Sequence, residues 1–498
     1  MECLLGIDVG SSSVKASLLD IESGKCVGTA YFPKTEQRID SPEPGFAEQD
    51  PQVWLQCAID AVRQALAEAE LDGDRVKAIG ISYQMHGLVC VDQERKVLRP
   101  SIIWCDSRAV PFGQAAFDAL GHERCLEHLL NSPGNFTAAK LAWVKQHEPD
   151  LYQRIDKVML PGDWLAMELT GRTCTTASGL SEGIFWDFLD ERPCDFLLEH
   201  FGFAPELLPE IAPTFGVQGE LTEQAAAALG LAAGTPVSYR AGDQPNNALS
   251  LNVLRPGEIA ATAGTSGVVY GVTDTKQYDP QSRVNTFAHV NHSDMATRLG
   301  VLLCVNGTGS LNAWTRRLVG DVDYPQMNQL AATAPIGSNG LSVMPFGNGA
   351  ERVLGNRNLG AQILDLDLNR HGRPELFRAV QEGIVFALQY GMDAMSEVGL
   401  NLETIRAGHA NMFLSDVFCQ SLANTSGARI ELYETDGALG AARGAGVGAG
   451  IYGSLDEAFA TLQRIRLVEP AAAYRGATAT AYENWKARLA RLLESAQA

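Results

Sequence analysis

LLGIDVGSSSVKASLLDIESGK, residues 4–25, sets an apolar run against a single carboxylate. Leu4-Leu5-Gly6-Ile7 reads as a buried strand within Cys3–Val9. Asp8 nearly ends it, Gly10-Ser11-Ser12-Ser13 turns the chain, and Val14–Ile21 runs back. After the polar break Glu22-Ser23-Gly24-Lys25, Cys26–Phe32 gives a third run, so an antiparallel meander at one edge of a sheet is expected. A turn built this way can aim several N–H groups and hydroxyls at one point, which makes an anion nest. Asp8 repels phosphate but can hold a divalent cation that bridges phosphate oxygens. Lys15, on the returning strand, adds a positive charge. The plainer alternative is a polar hairpin in which Asp8 caps its own turn.

Working outward, a helix is expected over about 51–70, with Trp54, Leu55, Ala58, Ile59, Val62 and Leu66 on one stripe. Strands should follow at Lys77–Ser82 and at Pro100–Trp104. Hairpins succeeded by helix–strand units indicate α/β architecture, a mixed sheet covered by helices. The plan recurs at GEIAATAGTSGVVYGVTD (Gly257–Asp274), whose turn Gly264-Thr265-Ser266-Gly267 resembles the first. Two related halves are inferred, residues 1–248 and 249–498, with a ligand cleft between them. Two facing nests suit a polyphosphate.

Other clusters fall near strand ends, where open α/β sheets bind ligands. In RAGDQPNN, Asp243 reads either as a base for a hydroxyl proton or as a cap for a helix starting near Pro245; Gln244 adds an amide. QMHG presents Met85 and His86. WCDSR presents Trp104 and Asp106. Imidazole and carboxylate suit sugar hydroxyls, though each group alone also fits a satisfied, half-buried polar residue. No G-x-x-x-x-G-K-[ST] occurs. GAGVGA (Gly444–Ala449) lacks the strand that a dinucleotide fingerprint needs, and reads as a small-residue helix packed closely on a neighbour. Ser12-x-x-Lys15 lies in a hairpin, not at the helix start that a serine acyl-enzyme would use.

The 498 residues suggest two domains. A net charge of −20 argues against nucleic acid or an anionic membrane as partner. The cysteines are scattered without a C-x-x-C pair, which fits reduced thiols in a cytoplasm. The N-terminus has no basic region ahead of its broken apolar run, and no stretch is long enough to span a bilayer.

Together, GIDVGSSSVK, QMHGLV, LRPSIIWCDSR, KLAWVKQ (Lys140–Gln146), LPGDWLAMELTG (Leu160–Gly171), AGDQ and AGTSG resemble the FGGY carbohydrate kinase family over nearly the whole chain. AGHANMFLSDVF and DGALGAARGAG fit its nucleotide-binding half. The resemblance implies a two-domain actin-like, ribonuclease H-like fold with ATP and Mg²⁺ as cofactors. It implies Asp8 at the metal and phosphates, with Ser12, Ser13 and Lys15 beside it. Met85, His86, Trp104, Asp106 and Gln244 would bind sugar, and Asp243 would be the base. Thr265 would reach the γ-phosphate, and Gly309, Gly408 and Asn411 would surround the nucleotide. Glycerol-phosphorylating members also carry Asp-Gln at 243–244, but have Arg-Glu where this chain has Met85-His86. The implied acceptor is therefore a ketopentose, D-xylulose at O5, with ribulose, glycerol and gluconate as alternatives and a homodimer left open. An actin-like ATPase scaffold, or a glycosidase using Asp8 and Asp243 as its acid/base pair, are readings from other classes.

Overall fold

In the computed structural model, which describes residues 1–320 and 322–496, two mixed sheets follow one plan. The first contains β1 (Cys3–Val9), β2 (Val14–Asp20), β3 (Cys26–Phe32), β4 (Val76–Tyr83), β5 (Phe215–Glu220) and β6 (Pro236–Gly242), in the order β5-β6-β4-β1-β2-β3. The second contains β7 (Ile259–Ala263), β8 (Gly267–Thr273), β9 (Asn285–Ala288), β10 (Leu299–Val305), β11 (Thr404–Gly408), β12 (Arg429–Tyr433) and β13 (Arg464–Val468). Its order is β9-β10-β8-β7-β11-β12-β13. Apart from the edge strand β9, the two orders and strand directions superimpose: an antiparallel meander, two parallel strands, one antiparallel edge. The repeat read from the two Gly/Ser/Thr turns is therefore a repeat of topology, and β4 and β11 are its matching strands.

The helices follow their sequence signals. Helix α1 (Pro51–Glu68) begins at Asp50, whose carboxylate accepts the Gln52 N–H at 3.0 Å, and places Trp54, Ala58, Ala61 and Val62 in the first core. It stops two residues short of the expected end. The strand expected to finish at Trp104 is only Ser101–Ile102; it pairs with Glu48–Gln49 and does not join the main sheet. WCDSR therefore reaches the site from a separate short ribbon.

Four further helices frame the site: α2 (Ala177–Glu182), α3 (Asp243–Ser250), α4 (Gly309–Val319) and α5 (Gly437–Gly448). The last belongs to the second half by sequence, yet packs directly on the first sheet. A Cβ on Gly6 would lie 1.7 Å from the Ala438 carbonyl oxygen, and one on Gly80 would lie 1.9 Å from that of Ala441. Only glycine in the strands allows the helix backbone to sit this close. GAGVGA is thus part of a close-packed helix, as its lack of a preceding strand implies.

Candidate active site

Asp8 occupies the end of β1, level with Ser82 of β4 and opposite Lys15 of β2. On the far side of β4, Ala241 of β6 is also level with Ser82. Asp8 and Asp243 thus leave the same edge of the sheet. They are not on adjacent strands: β4 lies between, a backbone separation of roughly 10 Å from two strand spacings.

Asp243 is the first residue of α3, with Gly242 at the cap position. The helix starts two residues before Pro245, and the capping role expected of Asp243 falls to a residue with no side chain to serve it. Burial, then the charge of Asp8, raises the Asp243 carboxyl to about 7, against the opposing hydrogen bond from the Gln244 side chain. Among the described residues no lysine or arginine pairs with it. The other Gln244 amide atom, Oε1, is buried without a donor, which suits a ligand hydroxyl.

Asp8 is also raised, by burial and by Asp436, with the Ser82 hydroxyl and Lys15 opposing. Asp436 is an acid that strand and turn patterns do not single out. It caps α5 by accepting the Leu439 N–H at 2.9 Å, and its other oxygen lies 2.5 Å from Lys15 Nζ. Burial pushes the Lys15 ammonium down, and Asp436 and Asp8 outweigh it, so lysine stays charged above its usual range. Lys15 is therefore committed to a carboxylate and is not a free phosphate ligand. The α5 N-terminus abuts Asp8: a Cβ on Gly437 would be 2.4 Å from Asp8 Oδ2. The bland reading of Asp8 as cap of its own hairpin fails; that turn closes through Gly10 N–H donating to the Ser13 carbonyl at 3.0 Å.

His86 follows β4 in a left-handed conformation, φ 63°. Its Nδ1 lies 2.8 Å from the Glu182 carbonyl, so Nδ1 carries the proton and Nε2 is left as an acceptor. Burial, then the charge of Lys140, depresses the imidazole to about 3, and it is neutral throughout the physiological range. Lys140 donates to the His86 carbonyl at 2.7 Å and holds this turn; burial lowers its own ammonium to about 7. Met85 is buried beside Gly242 and Glu182. Glu182, the last residue of α2, is a third carboxyl here and, unlike the half-buried Asp8 and Asp243, is fully buried. Burial first and Asp243 next raise it well above the carboxylate range. A glutamate at a helix end carries no sequence signal for this role; the position of α2 creates it.

Two assigned sugar ligands are placed differently from each other. Trp104 is exposed at the rim, its Nε1 3.5 Å from Ser11 Oγ. Asp106 is fully buried, with both oxygens taken: Oδ2 accepts the Ala47 N–H at 2.6 Å and pairs with Arg108 at 2.7 Å, while Oδ1 accepts from Arg108 at 2.9 and 3.0 Å. No lone pair is left for a sugar, so here the structure corrects the expectation: Asp106 anchors its loop. Ser12 likewise turns outward, its Oγ donating to Glu36 at 3.3 Å. Ser13, whose carbonyl closes the turn, stays half-buried.

In the second half, the turn Gly264–Gly267 stands against the start of α4. Gly309 N–H donates to the Gly264 carbonyl at 2.8 Å and Ser310 N–H to that of Thr265 at 3.1 Å. Two helix-start donors are thus spent on the turn. Gly309 serves by lacking a side chain, since a Cβ there would meet the Gly264 oxygen at 2.2 Å. Thr265 is exposed at the tip. Gly408 ends β11, and Asn411, with φ 52°, brings its amide toward Gly264. Cys304 of β10 links the two groups: its thiol is raised chiefly by burial, then by Glu351, with a bond to Ser266 opposing and the Asp243 charge adding. The Cys304 thiol thus feels both Asp243 and the second turn.

Comparison with known proteins agrees with this geometry. Residues 3–250 match the N-terminal domain of the FGGY family of carbohydrate kinases, and residues 259–449 match its C-terminal domain. The chain belongs to the FGGY family of carbohydrate kinases. It is 32% identical over 443 residues to the xylulose kinase of Escherichia coli (strain K12), covering 89% of this chain and 88% of that protein. It is 31% identical over 472 residues to the L-xylulose/3-keto-L-gulonate kinase of the same strain, covering 91% and 90%. The crystal structure of xylulose kinase from Rhodospirillum rubrum superimposes with a TM-score of 0.85 at 26% identity, over 99% of both chains. This FGGY protein is accordingly a sugar kinase with a two-domain α/β fold, and kinases of the family use ATP. Glycosidase and scaffold readings fall with that finding. Among the described residues no helix is long and apolar enough to cross a membrane.

Proposed function

We propose that this FGGY kinase transfers the γ-phosphoryl group of ATP to a terminal hydroxyl of an open-chain ketose, with D-xylulose at O5 as the acceptor. The observation that carries the reading is the isolation of Asp243. It is a carboxyl raised to about 7, without a basic partner among the described residues, on the same strand-end edge as Asp8 and flanked by Gln244. A base that titrates near the working pH can take a hydroxyl proton as the oxygen attacks. His86 Nε2 and Gln244 Oε1 are acceptors that orient the other hydroxyls. Met85 and Trp104 offer apolar faces, one at the floor and one at the rim.

Ser13 and the tip of the second turn, with Thr265, lie on the phosphate side, and Gly408 and Asn411 on the nucleotide side. Magnesium suits Asp8: hard carboxylate oxygens that burial and a second acid leave short of positive charge. Mg²⁺ is ordinarily held by one or two carboxylates plus substrate phosphates, and it would supply charge neutralisation at those phosphates. We further assign residues 1–248 to a sugar-binding domain and 249–498 to a nucleotide-binding one. The cytoplasm is the proposed location, supported by ten free cysteines.

The test is ADP release with Mg-ATP, with and without D-xylulose, L-xylulose, D-ribulose, glycerol and gluconate. The reading expects release that depends on sugar and is fastest with D-xylulose. ADP release indifferent to every acceptor would overturn it.

A further inference from the structure

Arg352 opens the one-turn helix Arg352–Leu354 of the second half and extends toward the first. Its guanidinium carbon lies 5.7 Å from the Phe136 ring centroid. A Cβ placed on Gly134 would be in contact with its Nη2 at 3.5 Å. Phe136 packs edge-on against the His86 ring, with centroids 4.8 Å apart. An arginine carried by the nucleotide-binding half thus ends beside the wall of the sugar pocket.

This group is short of partners. Among the described residues its guanidinium makes one hydrogen bond, from Nη1 to the Ser282 carbonyl at 3.4 Å. Among the described residues, no carboxylate pairs with it. The adjacent Glu351 is engaged elsewhere, accepting the Asn306 N–H at 3.1 and 3.2 Å. The arginines buried in the first half are matched by acids: Arg108 lies 2.7 Å from both Asp106 and Glu48, and Arg240 lies 2.9 Å from Asp163; the buried Arg443 of the second half is answered by carbonyl and hydroxyl oxygens instead. Arg352 is half-buried; a guanidinium offers five donors, and a charge drawn partly out of water without a counter-charge is costly. Burial lowers the Arg352 guanidinium below its usual range, and its charge contributes to keeping His86 neutral. In a chain of net charge −20, an arginine without an acid in the cleft stands out.

Phosphates and sugar both enter this cleft. Arg352 reaches the Phe136 ring and the Gly134 position, on the His86 side, and the Ser282 carbonyl; its charge also acts on the Cys304 thiol, which is bonded to Ser266 of the second turn. We propose that Arg352 is an acceptor-binding residue, donating to carbonyl and hydroxyl oxygens of the open-chain sugar so that both halves of the chain grip one substrate. The proposal rests on the sugar-kinase reading and adds a donor from the second half to a pocket otherwise rich in acceptors. It also ties sugar binding to the approach of the nucleotide half, which limits phosphoryl transfer to water when no sugar is bound.

The test compares full-length Arg352→Gln and Arg352→Lys with the parent. Sugar KM, ATP KM, kcat and sugar-free ATP hydrolysis are measured with the fastest acceptor of the panel. Loss of charge-assisted hydrogen bonds should raise the sugar KM about tenfold or more in Arg352→Gln. Arg352→Lys should recover part of that loss, with ATP KM within about twofold in both. Thermal melting of both variants shows whether they fold; the lysine variant keeps the charge and guards against a purely structural loss. An unchanged sugar KM would overturn the proposal. A lower kcat with normal sugar KM would place the arginine on the phosphoryl group and overturn it as well. Failure of the parent with every acceptor would instead remove the reading beneath it.

Discussion

Asp243 and Asp436 occupy equivalent places in the two halves. Each follows the second parallel strand of its sheet, β6 or β12, and each stands at the start of the helix behind it, α3 or α5. Their circumstances are opposite. Asp436 caps its helix and pairs with Lys15 at 2.5 Å. Asp243 neither caps nor pairs, and sits raised to about 7. One topology therefore yields a paired, capping acid in one copy and an unpaired one in the other, the acid proposed as the base. What separates them is whether a cation is within reach and whether the chain puts the acid at the cap or one residue later.

The strongest way to break this contrast is Asp243→Asn. Turnover should fall by about 10²–10⁴, the usual worth of a general base, while ATP affinity measured by titration is kept. Near-normal kcat would mean that the unpaired copy is no more reactive than the paired one.

Next in size is Gly6→Val, which tests the seam that brings Asp436 to Lys15. With the Ala438 oxygen 1.7 Å from the position a Cβ would take, overpacking should cost about 1–3 kcal/mol, read as a lower urea midpoint. Tolerance of valine would show that α5 is free to back away from the sheet.

The titration of Asp243 sharpens the comparison further. Below about 7, kcat/KM should drop by about tenfold per pH unit as the base is protonated. Stability carries the matching sign. From an ordinary carboxylate value up to about 7, folded protein holds a proton that unfolded chain has lost, so stability falls as pH rises through that window. Asp243→Asn should therefore melt higher than the parent at pH 8 and alike near pH 4.

The smallest effect belongs to Asp436→Ala. Loss of the helix cap should cost about 1 kcal/mol; the ion pair is about one-third exposed on each side and adds little more. ATP KM should shift only several-fold. A loss of turnover as large as that of Asp243→Asn would erase the distinction between the copies.

Much of this was legible in the order of residues. The apolar run that meets Asp8 and the turn at Gly10 placed that carboxylate, and the second Gly/Ser/Thr turn announced the repeat. Where reading by local pattern failed, the cause was the folded path of the chain, near or far. Asp106 looked like a sugar ligand until Arg108, two residues on, folded back and consumed it. Asp436 and Glu182 gave no local sign because α5 and α2 gain their meaning only when docked on strands far away in sequence. Lys15 was identified as a charge but not as one already answered.

The glycine seam under α5 also bears on how the molecule is made. The face of the first sheet that α5 covers stays bare from the emergence of β4 until residues 437–448 leave the ribosome. At about 5–20 residues per second that wait is on the order of tens of seconds. A nascent chain in this interval shows an apolar surface that invites chaperones and aggregation, so a fragment ending near residue 248 should be a poor stand-alone protein despite holding a complete sheet.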